Sequence, residues 1–202
     1  ITSNKATSVV YLKKNGKSEE VGGDGGGVYV YKGSAWLYGG TITGNNAQLH
    51  GGGVFTSYGK LEIDGGTISG NFTSGGAGGV YASTGSTMLL KSGKVSNNTA
   101  KSSGGGIVAQ GSGTVFTFAG GTVSGNQSTG SAAGILTQGK AKMVMTGGTV
   151  SGNHSNSNGG GIYISTKSTL KMTGGTVSGN TSKGQGGGMY LNKATSTISG
   201  AY

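Results

Sequence analysis

Apolar residues recur along this chain in short segments of three to five, alternating with polar residues and bounded by Gly, Ser and Asn. That period of two predicts β-strands and excludes helices as the main element. The segments come in sets of three. The first follows a glycine run: GGGVYV from Gly25, GGGVFT from Gly51, GGVYA from Gly78, GGGIVA from Gly104, AAGILT from Ala132, GIYIS from Gly161 and GGGMYL from Gly186. The second precedes a GGT phrase, as at Leu61–Ile63 and Phe116–Phe118. The third is TIS or TVS within that phrase. GGTITGN at Gly39 returns as GGTISGN at Gly65, SGKVSNN at Ser92, and GGTVSGN at Gly120, Gly147 and Gly174. Its closing residues, Asn45, Asn71, Asn98, Asn126, Asn153 and Asn180, are separated by 26, 27, 28, 27 and 27 positions.

Three strands in each repeat predict one triangular coil, and stacked coils predict a parallel β-helix with a step of about 4.8 Å, the strand spacing. The expected fold is all-β: one domain of about seven three-strand coils of 26–28 residues. Residues 1–27 read as a degenerate capping coil, 28–191 as regular coils and 192–202 as a partial coil. Three inward columns are expected. The first strand supplies Val28, Val54, Val80, Ile107, Ile135, Ile162 and Met189. The second supplies Leu37, Ile63, Leu90, Phe118, Met145 and Met172, and the third Ile42, Ile68, Val95, Val123, Val150 and Val177. Glycines are assigned to corners, and the repeated asparagines to a ladder of side-chain amides bonded from coil to coil. The charged stretch Lys13–Glu20 is expected to cap an open sheet edge. NKATS occurs at 4–8 and again at 192–196, 188 residues apart, which predicts similar angular positions for the two copies.

Of 202 residues 48 are Gly, and none is Pro, Cys or Arg. Collagen is excluded because Gly does not fall at every third place. The lack of Cys excludes disulfides and thiolate chemistry. No apolar run approaches the 18 or so residues of a spanning helix, so no membrane insertion is expected. No signal-peptide pattern is visible, so the sequence reads as mature or as a fragment. The phrases GGTVSGN and GGGIYI resemble the repeats of bacterial surface proteins with pectin-lyase-like right-handed β-helices, among them large secreted adhesins. More distantly they are similar to the GGAI-type repeats of chlamydial polymorphic outer-membrane proteins, without the FxxN motif of that family. The resemblance implies right-handedness and an extracellular or cell-surface location.

Pectin-lyase-like folds also house enzymes, and glycoside hydrolysis needs two carboxylates across a cleft. The acids are Glu19, Glu20, Asp24, Glu62 and Asp64, with none beyond. Glu62 and Asp64 share one outward face if their strand is regular and read as a solvated pair, with Asp64, just before the Gly pair, as an alternative cap of the bend. Pectate lyases use an Arg and clustered calcium carboxylates, and this chain has neither. One Asp in GGDGGG is too few for calcium. His50 and His154 lie in different coils and read as turn residues. No catalytic residue, cofactor or metal is expected, and the chain reads as non-enzymatic.

Outward ladders then carry the functional reading. Tyr29, Phe55, Tyr81, Tyr163 and Tyr190, with Val108 and Leu136 between, are expected to form an exposed contact stripe. Thr41 with Thr43, Thr67 with Ser69, Thr122 with Ser124, Thr149 with Ser151, and Thr176 with Ser178 form a flat hydroxyl array. Residues 65–202 carry nine Lys and no acid, a field that attracts polyanions. These lysines read as scattered, and without Arg no specific nucleic-acid binding is expected. The reading is an extracellular structural or adhesive module of a bacterial surface protein, with a glycan or cell-wall polymer as partner. The runner-up is a filament subunit that associates with itself end to end. A polysaccharide lyase or hydrolase and an ice-binding protein are weaker readings.

Overall fold

The computed structural model describes residues 1–6, 10–14, 17–21 and 23–200, with side chains for 1–6 and 23–200. The described part is a parallel β-solenoid of about six turns. Its strands build three long sheets whose members pair from one coil to the next. The first sheet stacks seven strands, from Val28–Tyr31 to Met189–Leu191, with Val28 opposite Val54 and Ile162 opposite Met189. The second holds 11 strands and contains both the second and third segments of the repeat. Lys60–Ser69 and Thr87–Ser96 cross from one segment to the other without a break, kinking at register shifts around Ser92. The expected triangle is therefore a bent sheet facing a flat one. A third sheet, not foreseen from the repeat, consists of seven two-residue strands just after the asparagines, from Lys5–Ala6 to Thr181–Ser182.

All three predicted columns point inward and merge into one core. The second segment contributes two buried residues per coil rather than one: Leu61 with Ile63, Met88 with Leu90, Phe116 with Phe118, Met143 with Met145, and Leu170 with Met172. Phe116 and Phe118, 6.0 Å apart between ring centroids, make the middle coils the most aromatic.

Glycine use follows from the corners. Each coil turns through residues with positive φ, and these too form columns. The turn before each ladder asparagine holds Gly44, Gly70, Gly125, Gly152 and Gly179 at φ between 60° and 65°, with Ser3 and Asn97 as exceptions. A residue with a Cβ is strained there, whereas Gly is not. The two later glycines of most runs answer to space instead, although Ala133 takes one of these positions and the last run is open. A Cβ on Gly53 would stand 2.8 Å from the Gly79 carbonyl oxygen and from an Ile68 methyl.

The asparagines are inside, not at the surface. Asn45, Asn71, Asn98, Asn126 and Asn153 are at most 1 % exposed. In each rung the backbone N–H and the Nδ2 both donate to Oδ1 of the next asparagine, as from Asn71 to Asn98 at 3.0 and 2.9 Å. The Nδ2 also donates to a third-segment carbonyl, Ile68 O in the case of Asn98, at 3.0 Å. Every polar atom of the buried amide is engaged, which is what makes its burial tolerable.

Residues 1–6 extend the ladders at the N-terminal end of the solenoid. Thr2 bridges Thr43, Asn4 donates to Asn45 as a further rung, and Lys5–Ala6 pairs with Asn46–Ala47. Residues 1–6 thus lie in register with 42–47. Val10–Lys14 and Lys17–Val21 then form an antiparallel hairpin. In the next coil three residues, 48–50, separate Ala47 from the glycine run, whereas 18 separate Ala6 from Gly25 here, so the hairpin is an insertion at that corner. The stretch Lys13–Glu20 falls on it, and its side chains lie outside the described residues. The two NKATS copies are not at equivalent positions. Asn4 is a ladder rung, whereas Asn192 follows a first-sheet strand and donates to the Tyr163 hydroxyl at 3.0 Å. The insertion shifts the count by more than half a coil.

Asn98→Ala removes an acceptor for two buried donors and takes the side-chain donor from Ile68 O, so it is expected to cost about 3 kcal/mol, a few times the worth of one hydrogen bond. Asn180→Ala, at a half-buried rung, is expected to cost less than half as much. Equilibrium denaturation of the two variants checks the difference.

Candidate functional site

The outward residues of the first sheet form one column, but it is not an exposed stripe. Phe55, Tyr81, Val108 and Leu136 are only 6 %, 4 %, 1 % and 3 % exposed, against 54 % for Tyr29. Tyr163 and Tyr190 are half-buried. The loops preceding the glycine runs fold back over the column, and Ala77 and Ala132 pack on it to make a second apolar cluster. Both alanines occupy left-handed positions, φ 57° and 59°, where other coils use Gly. Their buried methyls offset that strain. Rings stack along the column: Tyr29 on Phe55 at 5.1 Å, Phe55 on Tyr81 at 5.5 Å, and Tyr163 against Tyr190 at 5.0 Å.

Between the column and its covering loops lies a cleft of about 310 Å³. Tyr81, Val108 and Leu136 line its apolar side. His50, Ser102, Ser103, Gln110 and Gln138 supply polar groups, and Gly76 leaves room between them. A Cβ at Gly76 would stand 3.2 Å from the Tyr81 ring and 3.5 Å from the His50 ring. The polar groups are held by coil stacking. Gln110 and Gln138 are register partners, and Gln110 Oε1 accepts from both the Tyr81 hydroxyl and Gln138 Nε2. His50, a partly exposed corner residue, is held by contacts on both sides. Its Nδ1 lies 2.9 Å from Asp24 Oδ1, and its ring sits 4.5 Å from that of Tyr81. Both partners come from the same corner loop of successive coils. His154 is exposed, with Nδ1 2.8 Å from Thr181 Oγ1. The glutamines were overlooked in the sequence, although each stands three residues past the inward aliphatic of its strand, at Ile107 and Ile135.

The three carboxylates with described side chains are each paired. Asp24 meets His50, Glu62 lies 3.5 Å from Lys60, and Asp64 lies 2.7 Å from Lys91. Asp64 also accepts from Ser92 Oγ at 2.9 Å. The strand carrying Glu62 and Asp64 is irregular opposite Ser92, so Asp64 clamps the sheet bend while Glu62 stays on the flat segment. Hydrogen bonds from Lys91 and then Ser92 hold the Asp64 carboxyl below the ordinary carboxylate range. Among the described residues no three His, Asp or Glu side chains gather into a metal site.

A family model described as "right handed beta helix region" matches residues 1–149. The chain belongs to the right-handed β-helix family. This settles the hand of the solenoid and its membership in a repeat fold. No curated protein and no solved structure matches the chain. In this right-handed β-helix the aromatic column and the cleft lie on the outer face of the first sheet.

Burial, and secondarily the charge of Asp24, push the Tyr81 phenol well above its ordinary value of 10.0. The folded pKa is raised, so the fold favours the protonated phenol. That stabilisation is complete below about pH 10 and is lost as pH rises through the folded value. Stability of the native chain is expected to fall in this alkaline window, and to fall less in Tyr81→Phe. Denaturation midpoints between pH 8 and 11.5, roughly spanning the free phenol titration, check this.

Proposed function

We propose that this β-helix is a non-catalytic adhesive module of a bacterial surface protein, and that it holds a sugar residue in the cleft over its first sheet. The composition of the cleft carries the reading: one aromatic and aliphatic wall faces two amides, two serines and a histidine. Apolar ring faces suit the C–H face of a sugar, and amides and hydroxyls suit its hydroxyl groups. The volume is within the range of small-ligand sites. Among the described residues no carboxylate lines the cleft, and Asp24, which reaches its histidine, is tied to His50, so the described lining offers no opposed acid pair for glycosidic cleavage. The surface location rests on the likeness of GGTVSGN and GGGIYI to the repeats of secreted adhesins.

Screening the chain against neutral oligosaccharides is expected to find binding without release of reducing ends. Gln110→Ala with Gln138→Ala is expected to weaken it by tenfold or more, about 1.4 kcal/mol, with little change in Tm. Reducing-end release that is lost in Asp24→Asn would replace this reading with an enzymatic one. Absence of binding to every sugar would remove it.

A further inference from the structure

Seven positions in the turn between the first and second segments share one strand register, each two residues before a paired second-sheet residue. They are Lys32, Tyr58, Gly85, Gly113, Lys140, Lys167 and Lys193, and all have positive φ: 51°, 51°, 70°, 78°, 73°, 65° and 50°. The left-handed conformation favours Gly. The chain uses Gly at most such corners, yet here lysine fills four of the seven.

Three of them are consecutive. Lys140, Lys167 and Lys193 stack on adjacent coils, a step of about 4.8 Å apart. The Lys167 N–H donates to the Lys193 carbonyl. All three are exposed. Lys142 and Lys171, also exposed, stand just beyond on the neighbouring strands. Residues 65–202 contain no acid to neutralise them, and the ion pairs of the described residues involve Asp24, Glu62 and Asp64 instead. Two unfavourable terms therefore coincide in one column: a strained backbone for each lysine, and repulsion between stacked like charges. Neither would exist with Gly. Beside the column runs a shallow groove of about 420 Å³, whose lining includes Lys142, Lys171, Thr169, Thr195 and Thr197.

We infer that this corner binds a linear acidic polysaccharide lying along the helix axis. A row of ammonium groups with one coil step between them matches a polymer with anions at regular short intervals, and the threonines offer hydroxyls to its sugars. The site has no Arg for bidentate phosphate recognition and no aromatic platform for bases, which disfavours nucleic acid. It is separate from the cleft over the first sheet, so the inference stands or falls independently of the sugar-binding proposal.

The test is calorimetric titration of the chain with hyaluronate, a carboxylated polymer, and heparin, a sulfated one, with dextran as neutral control, at several salt concentrations. Binding to one or both acidic polymers, weakening with salt, is expected; any binding to dextran reports the cleft and should be salt-independent and lost in Gln110→Ala with Gln138→Ala. Lys140→Gly, Lys167→Gly and Lys193→Gly combined should weaken binding at least 30-fold while Tm stays level or rises. Lys94→Ala, Lys101→Ala and Lys183→Ala combined remove the same charge and should weaken it less than threefold. Equal losses in the two triple variants would mean that net charge alone attracts the polymer and would overturn the site. So would absence of binding, or equal affinity for single-stranded DNA. Gln110→Ala with Gln138→Ala should leave acidic-polymer binding unchanged.

Discussion

Coils must stack one strand spacing apart, and most of the structure follows from that. At about 4.8 Å between backbones a corner cannot vary its path without breaking the ladders above and below. Each turn conformation is therefore copied down the chain. A left-handed corner in one coil becomes a left-handed column, and a close carbonyl contact becomes a column held by Gly in nearly every coil. The 48 glycines are largely this constraint written out. The buried asparagines answer the same geometry from the polar side. A turn too tight for a backbone partner leaves an N–H inside, and one amide per coil accepts from it, adds a second donor to a ladder carbonyl and bonds to its own copy.

The same stacking explains what could be read from the chain. Val80, Leu90, Val95 and Asn98 recur in place because any departure would be felt by two neighbours, so periodicity locates core and ladder together. Residues whose surroundings are set by loops were not legible. Alternation marks Tyr81 as pointing away from the core, and it does. Alternation carries no information about the loop from Ser102 to Gly104 that closes over that face, so outward was mistaken for exposed. The kink opposite Ser92 was hidden for a related reason: GGT phrases look like breaks between strands, yet the chain passes through one as continuous sheet at Asp64–Thr67. The hairpin at 10–21 has no repeat to be aligned with, and so shifted the count for everything before it.

Glu62 and Asp64 show how far local spacing can mislead about chemistry. Two acids two residues apart on a strand suggest a pair. One register shift separates their roles: Asp64 turns to Lys91 and Ser92 at the bend, and Glu62 stays beside Lys60. Gln110 and Gln138, 28 residues apart, are by contrast in contact. In a solenoid, separation by one period brings side chains together more reliably than separation by two residues.

That rule bears on how such a fold acquires a surface. A single substitution in a globular domain changes one site, but here a residue type repeated each period becomes a line of groups along the axis. Apolar and amide residues gain from this, because each copy packs on or bonds to the next. Like charges lose, and lose more the closer the copies lie. A column in which stacked lysines hold left-handed positions, within a chain so rich in the residue that would relieve both costs, is therefore unlike the rest of the molecule. Its neighbours along the same turn, Gly85 and Gly113, show that the backbone itself does not ask for lysine. Stability alone gives no reason for the choice, which leaves the charge to be explained by something outside the chain.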